Sequence, residues 1–416
     1  MIPPPPLTDA ARLRRRLEAL AWIGADPSGG ISRLAFTEAD RAARAWLERE
    51  LAGSGLAVRC DAAGNLHARR PGRDPGAAPI LFGSHIDTVP RAGAFDGALG
   101  VLAGVELLAS LEERGLETRH PLELVVWADE EGVSFGRGLF GSRAAALGVR
   151  PGELEAEDRG GVSLAEWLRR YGQDPAALDA ARLQPRDATA YFELHVEQGP
   201  HLDRAGLEIG VVEGIVAIER WDVRIEGATN HAGTTPMAER RDALVAAALL
   251  TRAVREEVMA RAGDQVGNVG LIEVPSGAPN VVPGLVRLPI ELRDMDPGVI
   301  AETMERIRRR GAAIEAETGT RIAIAGVGAE PPAPTDPGLR DLIESQARAA
   351  GLTTRRMKSG AGHDAQNVAR GGIPTGMIFV RSRAGISHAP EEWTDAEDCH
   401  RGAELLARCV LACDGA

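Results

Sequence analysis

The chain has 416 residues, 44% of them hydrophobic and 26% charged, and 60 acidic against 48 basic residues give it a formal net charge of -12. That length calls for two domains, or one domain with a large insertion. The acidic balance argues against a nucleic-acid surface, which needs clustered Lys and Arg.

The basic runs Arg14-Arg15-Arg16 and Arg308-Arg309-Arg310 sit among acidic neighbours in helical patterns and read as solvated faces. The cysteines, Cys60, Cys399, Cys409 and Cys413, show neither a disulfide framework nor a Cys-rich zinc spacing. No apolar stretch reaches the roughly 18 residues of a membrane span. Met1 to Leu7 is proline-rich, without the basic-then-apolar layout of a signal peptide. The expectation is a protein of the reducing cytoplasm, with no membrane or nucleic-acid partner.

In chain order, residues 9–23 and 37–53 read as amphipathic helices, the second opening on a cap at Thr37 with Asp40 following. Residues 56–70 read as a hairpin turning at Ala63-Gly64-Asn65. Ile80-Leu81-Phe82 is a short buried strand leading to His85. A helix over 97–114 follows, with Gly97, Gly100 and Gly104 on its packing side. Leu122 to Trp127 is a second apolar strand ending at Asp129-Glu130-Glu131, and Tyr191-Phe192-Glu193-Leu194 is a third, delivering His195. In open α/β sheets reactive groups gather at the carboxyl ends of strands, and these three motifs do so.

From about residue 211 the texture changes. Val211 to Glu226 alternates, 236–262 reads as a long helix, strands follow near 266–274 and 285–293, then a helix at 299–317 and a strand at 320–326. That order is β-α-β-β-α-β, the split βαβ arrangement. Pro331-Pro332-Ala333-Pro334 reads as a linker. The α/β pattern then resumes with a helix near 336–350, a strand near 353–358, a loop over 359–364, and a strand at 375–380 that leads to Ser387-His388. The expected organisation is therefore an α/β domain in two parts, 1–209 and 329–416, with a ferredoxin-like α+β domain, 210–328, inserted between them.

His85, Asp96, Glu130-Glu131, His195 and His388 are metal-ligand residue types, each in a short motif just after an apolar run. Singly, each has an ordinary reading: Asp96 as a helix N-cap, the glutamates as a solvated pair, either histidine as structural. Together they suit a two-metal hydrolase, with ligands from several strand ends and one open position. Adjacent carboxylates at a buried strand end are costly unless a cation or proton offsets them. One can bind metal while the other holds a water. Asp87 is placed to take the second ring N–H of His85 and fix its tautomer. The glycine-rich loop Ser359 to Asp364 lacks the Lys and Ser/Thr of a P-loop and reads as a support for the active site.

Six phrases carry a resemblance. Gly83-Ser84-His85-Ile86-Asp87-Thr88, Phe95-Asp96-Gly97, Asp129-Glu130-Glu131-Gly132, His195-Val196-Glu197-Gln198-Gly199, Asn230-His231-Ala232-Gly233-Thr234-Thr235-Pro236-Met237 and Gly385-Ile386-Ser387-His388 resemble the amidase/carbamoylase branch of the M20 metallopeptidase superfamily. That branch includes N-carbamoyl-L-amino-acid hydrolases, allantoate amidohydrolases and β-ureidopropionases. The resemblance runs in order over residues 22–395. It implies a zinc-peptidase-like α/β catalytic domain, an inserted lid or dimerisation domain, and a homodimer.

The resemblance also implies roles. His85, Asp96 and His195 would hold one divalent metal, and Asp96, Glu131 and His388 a second, with Asp96 bridging. Zn comes first, and Mn, Co or Ni also suit such ligands. Glu130 would be the general base and His231 would stabilise the oxyanion, in its own subunit or across the dimer. Gln198, Asn280 and Arg293 would hold the substrate, a small ureido acid. For Arg293 an ordinary strand-end salt bridge to Asp294 or Asp296 is the competing reading.

His195 itself sets the chain apart from the peptidase branches, which usually place a carboxylate there. Asp129 departs from the branch, where Asn more commonly precedes the Glu pair. The expected reaction is hydrolysis of an N-carbamoyl-L-amino acid, with allantoate or ureidopropionate second and a dipeptide last. A non-catalytic relative would have lost ligands or the base, and a closed structural zinc site has no use for Glu130.

Overall fold

The computed structural model describes residues 6–275 and 277–415. Met1 to Pro5, most of the segment judged above against a signal peptide, lie outside the described residues. The chain opens with α1 (Ala10–Ala21), α2 (Glu38–Ala52), β1 (Val58–Cys60), β2 (Leu66–Arg70), β3 (Ile80–His85), α3 (Ala98–Glu113) and β4 (Leu122–Trp127). It continues through α4 (Phe140–Ala146), α5 (Leu164–Arg170), β5 (Ala190–Val196), α6 (His201–Ala205), β6 (Ile209–Ile215), β7 (Ala217–Glu226), β8 (Asn230–His231), α7 (Ala243–Met259), β9 (Val266–Asn268) and β10 (Val281–Val282). It closes with β11 (Leu285–Asp294), α8 (Pro297–Thr318), β12 (Arg321–Glu330), β13 (Ala333–Pro334), α9 (Pro337–Ala349), β14 (Thr354–Ser359), α10 (Asp364–Arg370), β15 (Thr375–Val380) and α11 (Ala396–Asp414).

These elements form two compact units, Met1–Ile215 with Ala333–Ala416, and Val216–Pro332. The first holds a sheet in the order β1-β2-β4-β3-β5-β15-β6-β13, with β14 also paired to β6. Its centre, β4-β3-β5-β15, is parallel. Each of these four strands is buried at every position. A parallel sheet covered on both faces has no solvent side, so its strands read as unbroken apolar runs rather than alternating ones. Because the four run the same way, His85, the Asp129-Glu130-Glu131 turn, His195 and the chain leaving β15 all emerge at one edge.

α3 lies along this sheet. Gly100 and Gly104 let it lie close, since a Cβ at 100 would run into the Leu194 carbonyl oxygen and one at 104 into Leu124 Cδ1. The long connection between β4 and β5, which the sequence pattern left unassigned, packs α4 and α5 around Phe36, Phe140, Leu164 and Leu168 in a core of its own.

The second unit orders its sheet β12-β7-β11-β9, antiparallel throughout, with α7 and α8 as its helices. This is the ferredoxin-like order. Its strands alternate between buried and exposed positions, as a sheet with one wet face must.

Four local readings differ from expectation. Val211 to Glu226 is two strands rather than one: β6 belongs to the large sheet and β7 to the small one. The long helix starts at Ala243, not Pro236, because Asp242 caps it by accepting from the amides of Leu244 and Val245. The strand at 266 ends at Asn268. Of the proline-rich linker, Ala333 and Pro334 already pair with Ile215 and Gly214 in the large sheet. Among the described residues no helix is long and apolar enough to cross a membrane.

Candidate metal centre

The site grows from one carboxylate. Asp96 sits in the turn between β3 and α3, and the structure gives it a different task from the N-cap reading. Gly97 takes the cap position at φ 62°, with no side-chain cap. A side chain at 97 would also run into the His85 imidazole. Asp96 is thereby free to face three imidazoles. Its Oδ1 lies 3.5 Å from His85 Nε2 and 3.2 Å from His195 Nε2, and its Oδ2 lies 3.3 Å from His388 Nε2. His388 Nε2 is in turn 3.5 Å from Glu131 Oε2. His85, Asp96 and His195 thus form one ligand cluster, and Asp96, Glu131 and His388 another. A third group, Glu193, His195 and His363, shares His195.

The tautomers make these contacts informative. His85 Nδ1 donates to the carbonyl of Asp87 at 3.0 Å, and His195 Nδ1 to the carbonyl of Val196 at 2.8 Å. A neutral ring whose Nδ1 donates presents a bare lone pair at Nε2. Those lone pairs face Asp96 Oδ1, which has no proton to offer when ionised, although that of His195 also accepts from the Gly97 amide at 3.2 Å. Lone pair against lone pair is unfavourable unless a proton or a metal cation lies between them. Against their burial, Glu130 and Asp96 push His85 up and Asp96 pushes His195 up, so a metal would take the place of those protons. The separations agree, since ligands about 2.05 Å from a tetrahedral ion stand about 3.3 Å apart.

The charge balance points the same way. Burial pushes Glu130 well above the usual carboxylate range, and Glu131, Asp364 and Asp87 add to it against the pull of His85. Burial and Asp96 lift Glu131 to about 7. Burial would raise Asp96 too, but His195, His388 and His85 hold it well below its ordinary value. The hydrogen bond to Asp96 and the charge of Glu131 carry His388 up to about 9, against its burial. Glu131 Oε1 is buried with no hydrogen-bond partner among the described residues. Such a crowd of carboxylates, with imidazoles driven toward protonation, is what divalent cations would relieve. The donor set fits two divalent metals.

Asp87 does more than expected, and by a different atom. Its carbonyl, not its carboxylate, takes the His85 N–H; its carboxylate Oδ1 is 3.7 Å from that nitrogen. The carboxylate instead accepts from the amides of Glu130 at 3.2 Å and Glu131 at 3.1 Å. It therefore holds the backbone that presents both glutamates. Glu130 Oε2 comes within 3.7 Å of His85 Nε2, beside the clusters rather than within them.

Gln198, at φ 56°, donates from Nε2 to Asp96 Oδ2 at 2.7 Å, and its Oε1 has no hydrogen-bond partner among the described residues. The second unit carries the other expected residues. His231 pairs across β8 and β10 with Val281, and the amide of Ala232 donates to the carbonyl of Asn280, so these two motifs are neighbours. Arg293 is bound to Glu291 at 2.7 Å, a carboxylate on its own strand.

Several residues escaped the sequence reading. Glu193, buried in β5, accepts from Ser84 Oγ at 2.7 Å, the amide of Ala365 at 2.7 Å and the Tyr191 hydroxyl at 3.2 Å. A charge inside an apolar strand was the signal. His363, read only as part of a supporting loop, packs edge-on against His195 at 4.5 Å and bonds Ser359 Oγ at 2.8 Å. Burial and the nearby His195 hold it well below its usual value, hence neutral. Glu392 had no sequence signal at all.

Fold and site together define a metal-dependent hydrolase of the zinc-peptidase type, with ligands at the carboxyl edge of a parallel sheet and a separate β-sheet subdomain. Residues 81–412 match the peptidase family M20/M25/M40. The chain is 41% identical over 399 residues to an N-carbamoyl-L-amino acid amidohydrolase of Geobacillus stearothermophilus, covering 96% of this chain and 97% of that one. It is 38% identical to the N-carbamoyl-L-amino-acid amidohydrolase of Paenarthrobacter aurescens, over 97% and 98% of the two chains. A crystal structure of an amidase of the hydantoinase/carbamoylase family from Burkholderia multivorans superposes with a TM-score of 0.89 at 36% identity, over 98% of each chain. The chain belongs to the M20 peptidase superfamily, in its hydantoinase/carbamoylase branch.

Proposed function

We propose that this protein hydrolyses the ureido bond of N-carbamoyl-L-amino acids, releasing amino acid, carbon dioxide and ammonia. The observation that carries the reading is Asp96 turned between two ligand clusters, with Glu130 standing free of both. His85, Asp96 and His195 would hold one cation, and Asp96, Glu131 and His388 the other. Glu193 is the weaker candidate ligand, because three protein donors already use its oxygens. When bound, such cations lower the pKa of water toward neutrality and polarise a carbonyl.

The residues supply the rest. Glu130, raised by burial and by its acidic neighbours, takes the proton of the attacking water and returns it to the departing nitrogen. Asp87 fixes the backbone that aims Glu130. His231 offsets the charge that develops on the ureido oxygen. Asn280 and Arg293 hold the substrate, with the guanidinium as a fork for the carboxylate once it leaves Glu291. The unsatisfied Gln198 Oε1 accepts from a ureido N–H.

The second unit bears on the assembly. Arg293 lies opposite Ile218, near the start of β7, whereas His231 lies beyond its other end at Glu226. Eight residues of strand span about 26 Å, more than one small substrate bridges. If both serve one substrate, they come from two copies of the chain, which supports the homodimer. Cytoplasmic residence is proposed with it.

The test is ammonia release by metal-loaded protein from N-carbamoyl-L-amino acids, N-carbamoyl-β-alanine, allantoate and dipeptides. Turnover of N-carbamoyl-L-amino acids alone is expected. Allantoate as the preferred substrate would move the assignment within the branch, and dipeptide cleavage without ammonia would end it.

A further inference from the structure

A carboxylate outside every ligand cluster stands beneath the Asp96 turn. Glu392 is 3% exposed and lies 296 residues after Asp96. Its Oε1 accepts from the amides of Phe95 at 3.0 Å and Asp96 at 3.1 Å. Its Oε2 accepts from the Ser387 hydroxyl at 2.8 Å. The turn is shaped to admit it, since a Cβ at Gly93 would occupy the space of the Glu392 side chain. The next residue keeps the strap in place. Trp393 packs edge-on against Phe95 at 5.8 Å, and its carbonyl accepts from the Arg383 amide at 2.8 Å.

Ser387 makes this arrangement more than a structural clamp. Its Oγ lies 3.2 Å from Asp96 Oδ2 as well as 2.8 Å from Glu392. A serine hydroxyl has one proton, so it donates to one carboxylate at a time. Asp96 Oδ2 already accepts from Gln198 Nε2 at 2.7 Å. While Glu392 takes the Ser387 proton, the lone pairs that Oδ2 has left stay available on the side of His388 and Glu131. Without that acceptor, the hydroxyl turns to Asp96 and draws on the same lone pairs.

We propose that Glu392 is a positioning residue for the metal centre: it ties the Asp96 turn to the Ser387-His388 turn and keeps the Ser387 proton off Asp96. This rests on the two-metal reading above but not on the ureido substrate. A residue that only stabilises the fold would act on melting. One that sets ligand availability acts on metal affinity, where supporting hydrogen bonds are worth about 10- to 100-fold.

Glu392→Gln separates the two. Its amide oxygen can still accept from Phe95 and Asp96, while its NH2 can only donate toward Ser387 and so sends the serine proton to Asp96. Zinc titration of metal-stripped full-length protein, by competition with a chelating dye, is the readout. Glu392→Gln is expected to melt like the wild type without metal and to weaken one zinc equivalent by about 10-fold or more. Adding Ser387→Ala, which removes the misdirected proton, is expected to recover most of that loss, a non-additive pair.

Gly93→Ala displaces the carboxylate while keeping its charge. It is expected to weaken zinc as Glu392→Gln does, and it stands in should that variant not fold. Wild-type zinc affinity in both Glu392→Gln and Gly93→Ala would overturn the proposal. So would a double variant as weak as Glu392→Gln alone. Because zinc affinity is read without substrate, a wrong substrate assignment leaves this outcome untouched.

Discussion

The two units carry functional candidates in opposite ways. In the α/β unit, His85, Asp96 and His195 are all but fully buried, and each faces at least one partner from a distant part of the chain: Glu130 for His85, His388 and Glu392 for Asp96, and Asp96 for His195. In the ferredoxin-like unit, His231 and Asn280 are exposed, and Arg293 is partly so, resting on a neighbouring glutamate. The first unit is complete in itself: its ligands already face one another at ion-coordinating spacing. The second presents groups that acquire a task only against something else. Metal ligation needs preorganised geometry, because every misplaced donor loses coordination. Substrate capture needs groups that can be approached.

The sharpest way to break this contrast is Glu130→Gln. Loss of the base is expected to lower kcat by about 10²- to 10⁴-fold, with both zinc equivalents still bound. Retained turnover, or loss of metal with it, would show that Glu130 is not the group standing free of the clusters.

Next in size is the pair from the second unit. His231→Ala and Arg293→Ala are each expected to lose about 10²-fold or more of activity with metal content unchanged. If the two residues serve one site from two copies, unfolding and refolding the variants as a mixture restores activity. Half the dimers are then mixed, with one intact site in two, so recovery approaches about a quarter of wild type. No recovery would return both residues to a single chain. Size-exclusion chromatography with light scattering checks the dimer independently.

The smallest effect concerns pH and belongs to the buried unit alone. Glu131 is raised to about 7 and His388 to about 9. A group whose pKa is raised by folding stabilises the protein below its ordinary value and loses that contribution as pH rises through the folded one. The metal-stripped protein is therefore expected to weaken from about pH 4.5 to 7 as Glu131 ionises, and from about pH 6.5 to 9 as His388 loses its proton. Metal must displace those same protons, so its affinity rises over both windows. The increase in Tm on adding zinc should be greater at the upper end. An increase independent of pH would mean that these two groups are not where the metal binds.

Much of this was legible beforehand, and for identifiable reasons. The parallel strands are apolar at every position, so their ends, and the motifs at those ends, could be placed from pattern alone. The split βαβ order of the second unit followed from periodicity. The boundary inside Val211 to Glu226 did not, because a β-rich run looks continuous whether or not it changes sheets at Val216. Asp87 was assigned to His85 by its carboxylate, yet the backbone carbonyl is nearer, and sequence does not say which oxygen of a residue reaches a neighbour. Glu392 was invisible, since its partners Phe95 and Asp96 are almost three hundred positions away.

By itself the sequence determined which chemistry was available: three imidazoles and a supply of carboxylates set in apolar strand ends, and a second, alternating unit to carry exposed polar groups. Only the tertiary structure decided how those groups divide the work. Asp96 turns its two oxygens toward different histidines, Asp87 holds the backbone of the glutamate pair, and Glu392 closes the turn from below. Ligand spacing and proton ownership depend on tenths of an ångström between residues far apart in the chain, and only folding brings such residues within reach of one another.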